Sequence, residues 1–160
     1  SVSGAGDING DGYDDVVIGI EYRYYSQGGQ DSYPGTSYVL VGKNSNFSDI
    51  DLSKLTISQC FKIIGTNDFR YIGYSGSSVS NLGDINGDGY SDIISAICYD
   101  GSDPYGGPYT GTSYVIFGKN TSVSDIDLSS LSSIQGLQII ASNYIDQYSC
   151  LVSRAGDING

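Results

Sequence analysis

Asp7, Asn9, Asp11 and Asp15 stand at positions 1, 3, 5 and 9 of the run DINGDGYDD, residues 7–15. Asp84, Asn86, Asp88 and Asp92 hold the same positions in DINGDGYSD, residues 84–92. A third run opens with Asp157 and Asn159 and ends at Gly160. All are short side chains ending in oxygen, set one residue apart. The carbonyls of Tyr13 and Tyr90 fall at position 7, and Gly12 and Gly89 suit a sharp turn. This spacing matches the needs of a hard divalent cation such as Ca²⁺, which takes roughly six to eight oxygen ligands from a tight loop. Asn-Gly and Asp-Gly are strong turn formers by themselves. A turn alone, however, does not call for acids at positions 1, 5 and 9 in two copies.

The repeats sort the acids. Asp14 aligns with Ser91, so position 8 is expected to face solvent. Asp15 aligns with Asp92 and is the better ligand candidate. An EF-hand loop needs Glu at position 12 and flanking helices. Here position 12 is Ile18 or Ser95, and the flanks VVIGI and IISAI are β-branched runs. The loop is therefore expected to join two strands, which also argues against dockerin-like modules.

Larger segments recur as well. GTSYVLVGKN from Gly35 returns as GTSYVIFGKN from Gly111, and SDIDLSKL from Ser48 returns as SDIDLSSL from Ser124. SSVSNLGDING from Ser77 returns as CLVSRAGDING from Cys150. Each unit, of about 75 residues, reads as four strands. In the second unit these are Ser78 to Gly83, Asp92 to Cys98, Thr112 to Gly118, and Leu137 to Ala141. The last three match Asp15 to Glu21, Thr36 to Gly42, and Phe61 to Gly65 in the first. The runs VVI, VLV and VIF are continuous, which implies that both faces of each sheet are covered. Asp49 to Leu55 reads as one helical turn. A unit of this size with four strands predicts an all-β fold of β-propeller-type blades, each of four antiparallel strands, with two repeats plus the start of a third. Residues 1–5 form the first strand of blade 1, and residues 6–76 the rest, with metal loop 7–15. Residues 77–149 form blade 2, with metal loop 84–92. Residues 150–160 hold the first strand and truncated loop of a third blade.

GDINGDGYDDVVIG followed by GTSYVLVGK and a Gly-Ser-Val segment resembles the FG-GAP repeat, the calcium-binding blade of integrin α-subunit propellers and of many microbial and protist surface proteins. The resemblance extends over essentially the whole chain. It implies a metal loop between the first and second strands of each blade. Two elements depart from the family pattern. Gly19-Ile20-Glu21 and Ser95-Ala96-Ile97 replace its Gly-Ala-Pro signature, and Ile72-Gly73 stands for Phe-Gly.

Composition narrows the function classes. Lys and Arg number 7 against 18 acids, a net charge of −11. Ca²⁺ in the two complete loops adds four charges and brings −11 to −7. No basic patch exists to hold nucleic acid. No apolar run is long enough for a membrane span, and no signal peptide is visible. There is no His, which removes Ser-His-Asp and Cys-His chemistry from this segment. The three cysteines form no CxxC pair. Cys98 and Cys150 are expected near one rim, and Cys60 apart from them.

Strand alternation places the remaining loops. Those on the rim opposite the metal carry Tyr22, Tyr24, Tyr25, Tyr33, Tyr71 and Tyr74 in the first unit, and Tyr99, Tyr105, Tyr109, Tyr144 and Tyr148 in the second. These form a ligand rim or packing between blades. Asn46-Phe47-Ser48 and Asn120-Thr121-Ser122 are glycosylation sequons in the third-to-fourth connections.

The expected function is a non-enzymatic, calcium-stabilised extracellular or cell-surface module with a structural or adhesive role. It would be a segment of a longer array, or of a ring or filament of copies. Its partners are further copies of the same repeat and an extracellular protein or glycan. The alternatives are a lectin-like glycan-binding propeller and the non-catalytic part of a secreted hydrolase.

Overall fold

The structure is a computed structural model that describes residues 1–20, 35–46, 48–65, 74–98, 112–120, 124–140 and 151–156; for 74–77, 97 and 98 only the backbone is described. Every strand lies in one of two sheets. The first contains β1 (Val2–Gly6), β2 (Asp15–Ile20), β3 (Thr36–Leu40) and β4 (Cys60–Ile64) in chain order, each antiparallel to its neighbour. The second contains β5 (Tyr74–Gly83), β6 (Asp92–Cys98), β7 (Thr112–Ile116) and β9 (Gly136–Ile140) in the same arrangement. Chain-order antiparallel meanders of four strands are propeller-type blades. The fold is all-β, as the sequence implies.

Gly and Asp punctuate the β-branched runs and leave the pleated state as their one way to bury side chains. Val17, Val39 and Ile63 of the first sheet are fully enclosed against Ile93, Tyr114 and Ile116 of the second. Fully burying one such aliphatic side chain is worth about 1.5–3 kcal/mol, so this interface holds the two blades together. Strands β1 and β5 lie side by side at one edge of it. There the Val79 N–H donates to Ser1 Oγ at 2.9 Å. The contact repeats one unit on, where the Val152 N–H donates to Ser78 Oγ at 3.1 Å. Residues 151–156 thus lie on β5 as β5 lies on β1.

Three sequence expectations change in detail. The first sheet has a fifth strand. Residues Ile126–Asp127 (β8), from the β7–β9 connection of the second unit, pair in parallel with β4, Ile63 opposite Ile126. The expected helical turn is a 3₁₀ turn at Leu128–Ser130, capped by Asp127, whose side chain accepts from the Ser129 N–H. In the first unit Leu52 and Ser53 form a simple turn. Continuous apolar runs do not always mean two covered faces. Strand β6 is buried on both, whereas β2 alternates and leaves Val16 exposed, with nothing among the described residues against that side of the first sheet.

Candidate metal centre

Residues 7–14 join β1 to β2, and residues 84–91 join β5 to β6. Gly10 and Gly12 have φ of 75° and 88°, and Gly87 and Gly89 have 77° and 93°. Side chains rarely adopt these angles, so glycine is needed where the loop reverses. Each strand entering a loop carries a bulge, at Gly4/Gly6 and at Asn81/Gly83.

The carboxylates fold inward on their own loop. Asp7 Oδ1 accepts the N–H of Gly10 at 2.7 Å and of Asp11 at 3.1 Å, and Oδ2 accepts that of Gly12 at 2.9 Å. Asn9 Oδ1 accepts the Asp11 N–H, and Asn9 Nδ2 donates to Asp11 Oδ2. Asp11 Oδ1 accepts the Tyr13 N–H at 2.9 Å. The second loop repeats every bond. Asp84 takes the N–H groups of Gly87, Asp88 and Gly89, Asn86 takes that of Asp88, and Asp88 takes that of Tyr90.

Asp15 and Asp92 differ from the rest because they are fully buried. Asp15 Oδ2 accepts from Ile8 N at 3.0 Å and Oδ1 from Gly42 N at 2.7 Å. Asp92 does the same with Ile85 and Gly118, at 2.8 and 2.9 Å. Burial pushes the Asp15 carboxyl up to about 6, against the two backbone N–H bonds, with Asp11 and Asp7 adding repulsion. Asp92 is raised for the same reasons, desolvation first. Asp84 is lowered, chiefly by the Gly89 N–H. Asp14 is exposed.

Among the described residues, no group of three His, Cys, Asp or Glu side chains is already drawn together as a metal cage. The chemistry of the donor set nonetheless suits a hard cation. It is all oxygen, and an ionised carboxylate has about four lone-pair sites, of which the backbone bonds use part. A buried carboxylate with two more acids close by gains from a positive charge in their midst.

Two glycines that motif reading passed over complete the site. A Cβ on Gly42 would stand 2.4 Å from the Asp14 carbonyl oxygen, and one on Gly118 would stand 2.4 Å from that of Ser91. Their recurrence in VGKN and FGKN was the available signal. The first loop also touches the second blade. Ser91 N donates to the Asp7 carbonyl at 3.0 Å, Lys119 N donates to the Ile8 carbonyl at 2.9 Å, and a Cβ on Gly10 would collide with the Tyr90 ring.

Asn46 and Asn120 are both exposed. Cys60 is a buried free thiol at the start of β4. Asp157, Asn159, Cys150 and the side chain of Cys98 lie outside the described residues. So do Tyr22, Tyr24, Tyr25, Tyr33, Tyr71, Tyr99, Tyr105, Tyr109, Tyr144 and Tyr148, and the side chain of Tyr74.

Residues 1–40 match the family model of the FG-GAP repeat. Chicken integrin alpha-6 is 33% identical over 95 residues, which is 59% of this chain and 8% of the relative. Human integrin alpha-6 is 33% identical over 94 residues, 59% of this chain and 7% of the relative. Chicken integrin alpha-V is 32% identical over 100 residues, 62% of this chain and 8% of the relative. The chain therefore spans less than a tenth of the length of these curated relatives. It carries an FG-GAP repeat over residues 1–40, in an integrin-α-like pair of propeller-type blades.

Proposed function

We propose that the chain is a non-enzymatic, Ca²⁺-stabilised repeat module of an extracellular or cell-surface protein, with a structural or adhesive role. The observation that carries this reading is the duplicated loop network. Asp7, Asn9, Asp11, Asp15 and the Tyr13 carbonyl would hold one ion. Asp84, Asn86, Asp88, Asp92 and the Tyr90 carbonyl would hold another, and Asp157 and Asn159 open a third site of the same kind. A bound cation would supply the positive charge that offsets repulsion within each acidic loop. Asp15 already ties the loop entrance at Ile8 to the end of β3 at Gly42, so stiffening the loop stiffens three strands. Oxygen sites of modest affinity are suited to extracellular Ca²⁺ levels.

Similarity to integrin α chains supports the structural or adhesive role, and the sequence contains no His for nucleophilic triads. Among the described residues, no helix is long and apolar enough to cross a membrane. The exposed Asn46 and Asn120 support glycan attachment at both sequons. Calorimetric titration of the chelator-stripped chain tests the proposal. Binding of Ca²⁺ with at least two equivalents per chain is expected. No binding at extracellular Ca²⁺ levels would overturn it.

A further inference from the structure

The two acidic loops are joined through their backbones. Ile8 belongs to the first loop, and its N–H donates to Asp15 Oδ2 at 3.0 Å. Its carbonyl accepts the N–H of Lys119, just past β7 in the second blade, at 2.9 Å. The residue before Lys119 is Gly118, whose N–H donates to Asp92 Oδ1 at 2.9 Å. One line of backbone and hydrogen bonds thus runs from the buried carboxylate of the first loop to that of the second. Ile8, Asp15 and Asp92 are all buried, so water does not readily replace these bonds.

A second line runs beside the first. The Asp7 carbonyl accepts the Ser91 N–H at 3.0 Å, and Ser91 stands between Tyr90 and Asp92. The Tyr90 ring lies over Gly10 and leaves no room there for a Cβ. The Gly10 N–H is in turn held by Asp7 Oδ1. Gly118 is wedged between both loops. A Cβ on it would stand 2.8 Å from the Ile8 carbonyl oxygen and 2.7 Å from Tyr90 Cβ. Neither loop can shift at these points without displacing the other.

We propose that the two loops take up Ca²⁺ cooperatively, so that filling either one raises the affinity of the other. The physical ground is a shared ordering cost. Each loop must hold its carboxylates in one arrangement to bind, and fixing backbone costs conformational entropy. Ile8, Gly10, Ser91, Gly118 and Lys119 serve both loops, so they are ordered once. The loop that fills first meets that cost, and the other then binds to a frame already in place. Such coupling is reciprocal, with the same factor in both directions. The pair therefore loads over a narrower range of Ca²⁺ than either loop would alone. The proposal rests on the Ca²⁺ reading of both loops.

Calorimetric titration of three full-length proteins tests it. Asp88→Ala leaves the first loop to bind alone, and Asp11→Ala leaves the second. The coupling factor is the overall constant of the wild-type chain for two ions, divided by the product of the two single-loop constants. A factor of about five or more is expected. It is expected to persist in about 1 M salt, which screens exposed charges beyond about 3 Å. A factor within about twofold of one, with both loops binding, would overturn the coupling and leave the metal reading standing. Absence of Ca²⁺ binding would overturn both. Lys119→Pro deletes the N–H that Ile8 accepts and leaves the Gly118 N–H and every proposed ligand in place. In that background the same comparison is expected to give two bound ions and a factor near one. A folded Lys119→Pro chain that keeps the wild-type factor would overturn the path through Ile8. The comparison of the first three proteins decides the proposal even where Lys119→Pro does not fold.

Discussion

The Asp15 carboxylate accepts the Gly42 backbone N–H at 2.7 Å, joining the exit of one acidic loop to the end of the third strand of its blade. The same bond joins Asp92 to Gly118 in the next blade. An acid first read as a cation ligand is thus also a strap across the blade.

That close approach makes Gly42 sensitive. A methyl group there meets backbone, which cannot swing away as a side chain would. Gly42→Ala and Gly118→Ala are each expected to cost about 1–3 kcal/mol, the usual range for overpacking. Urea denaturation at saturating Ca²⁺ measures it. Changes under about 0.5 kcal/mol, the scatter of ordinary surface substitutions, would contradict the packing described.

Asp11 and Asp14 should separate cleanly. Asp11 lies inside the hydrogen-bonded loop, whereas Asp14 is exposed and matches Ser91. Asp11→Ala is expected to abolish Ca²⁺ uptake at its loop, and Asp14→Ala to weaken it by less than tenfold, or about 1.4 kcal/mol. Calorimetry showing equal losses would contradict the ligand assignment.

Burial holds the Asp15 carboxyl at about 6, above its ordinary value of 3.8. Between those values the folded chain binds more protons than the unfolded one, so this group's contribution to stability grows as pH falls. In chelator, the melting temperature of wild type relative to Asp15→Asn is therefore expected to rise from pH 7 to pH 5. With Ca²⁺ present, affinity is expected to fall over the same range as protons compete for Asp15. A relative melting temperature that falls, or an affinity that rises, would contradict the charge environment described for this carboxylate.

Ile63 and Ile139 are counterparts with different burial, 0% and 50% exposed. Under conditions that keep the chain monomeric, Ile63→Ala is expected to cost about 2–5 kcal/mol, as for other buried aliphatic truncations. Ile139→Ala is expected to cost less than half as much. Equal costs would mean that β9 is already covered.

Much of this architecture is legible from residues in sequence. The spaced Asp and Asn residues locate both loops, and the β-branched runs locate the strands to within a residue or two for β2, β3, β4, β7 and β9. The β8 strand is not legible, and for a physical reason. Ile126–Asp127 and Ile50–Asp51 have the same sequence and the same turn after them, so no local preference separates them. The presence of Ile63 across the gap decides the state. Burial of β2 is hidden in the same way. VVI reads as a core strand, yet Val16 is exposed while its counterpart Ile93 is enclosed, because among the described residues the first blade covers that side of the second and nothing covers that side of the first. The role of Asp15 as a strap required Gly42, distant in sequence, to be placed beside it.

The central claim is that cations held in the loops stabilise the blades. Melting of the chain, followed by circular dichroism in chelator and then after Ca²⁺ is restored in excess, tests it most directly. A ligand that binds only the native state stabilises by about 2.7 kcal/mol at a hundredfold excess over Kd. The account predicts a melting temperature that drops by several degrees in chelator and returns with Ca²⁺. It further predicts that Asp11→Ala combined with Asp88→Ala abolishes the response. A melting curve indifferent to both chelator and Ca²⁺ would contradict the account.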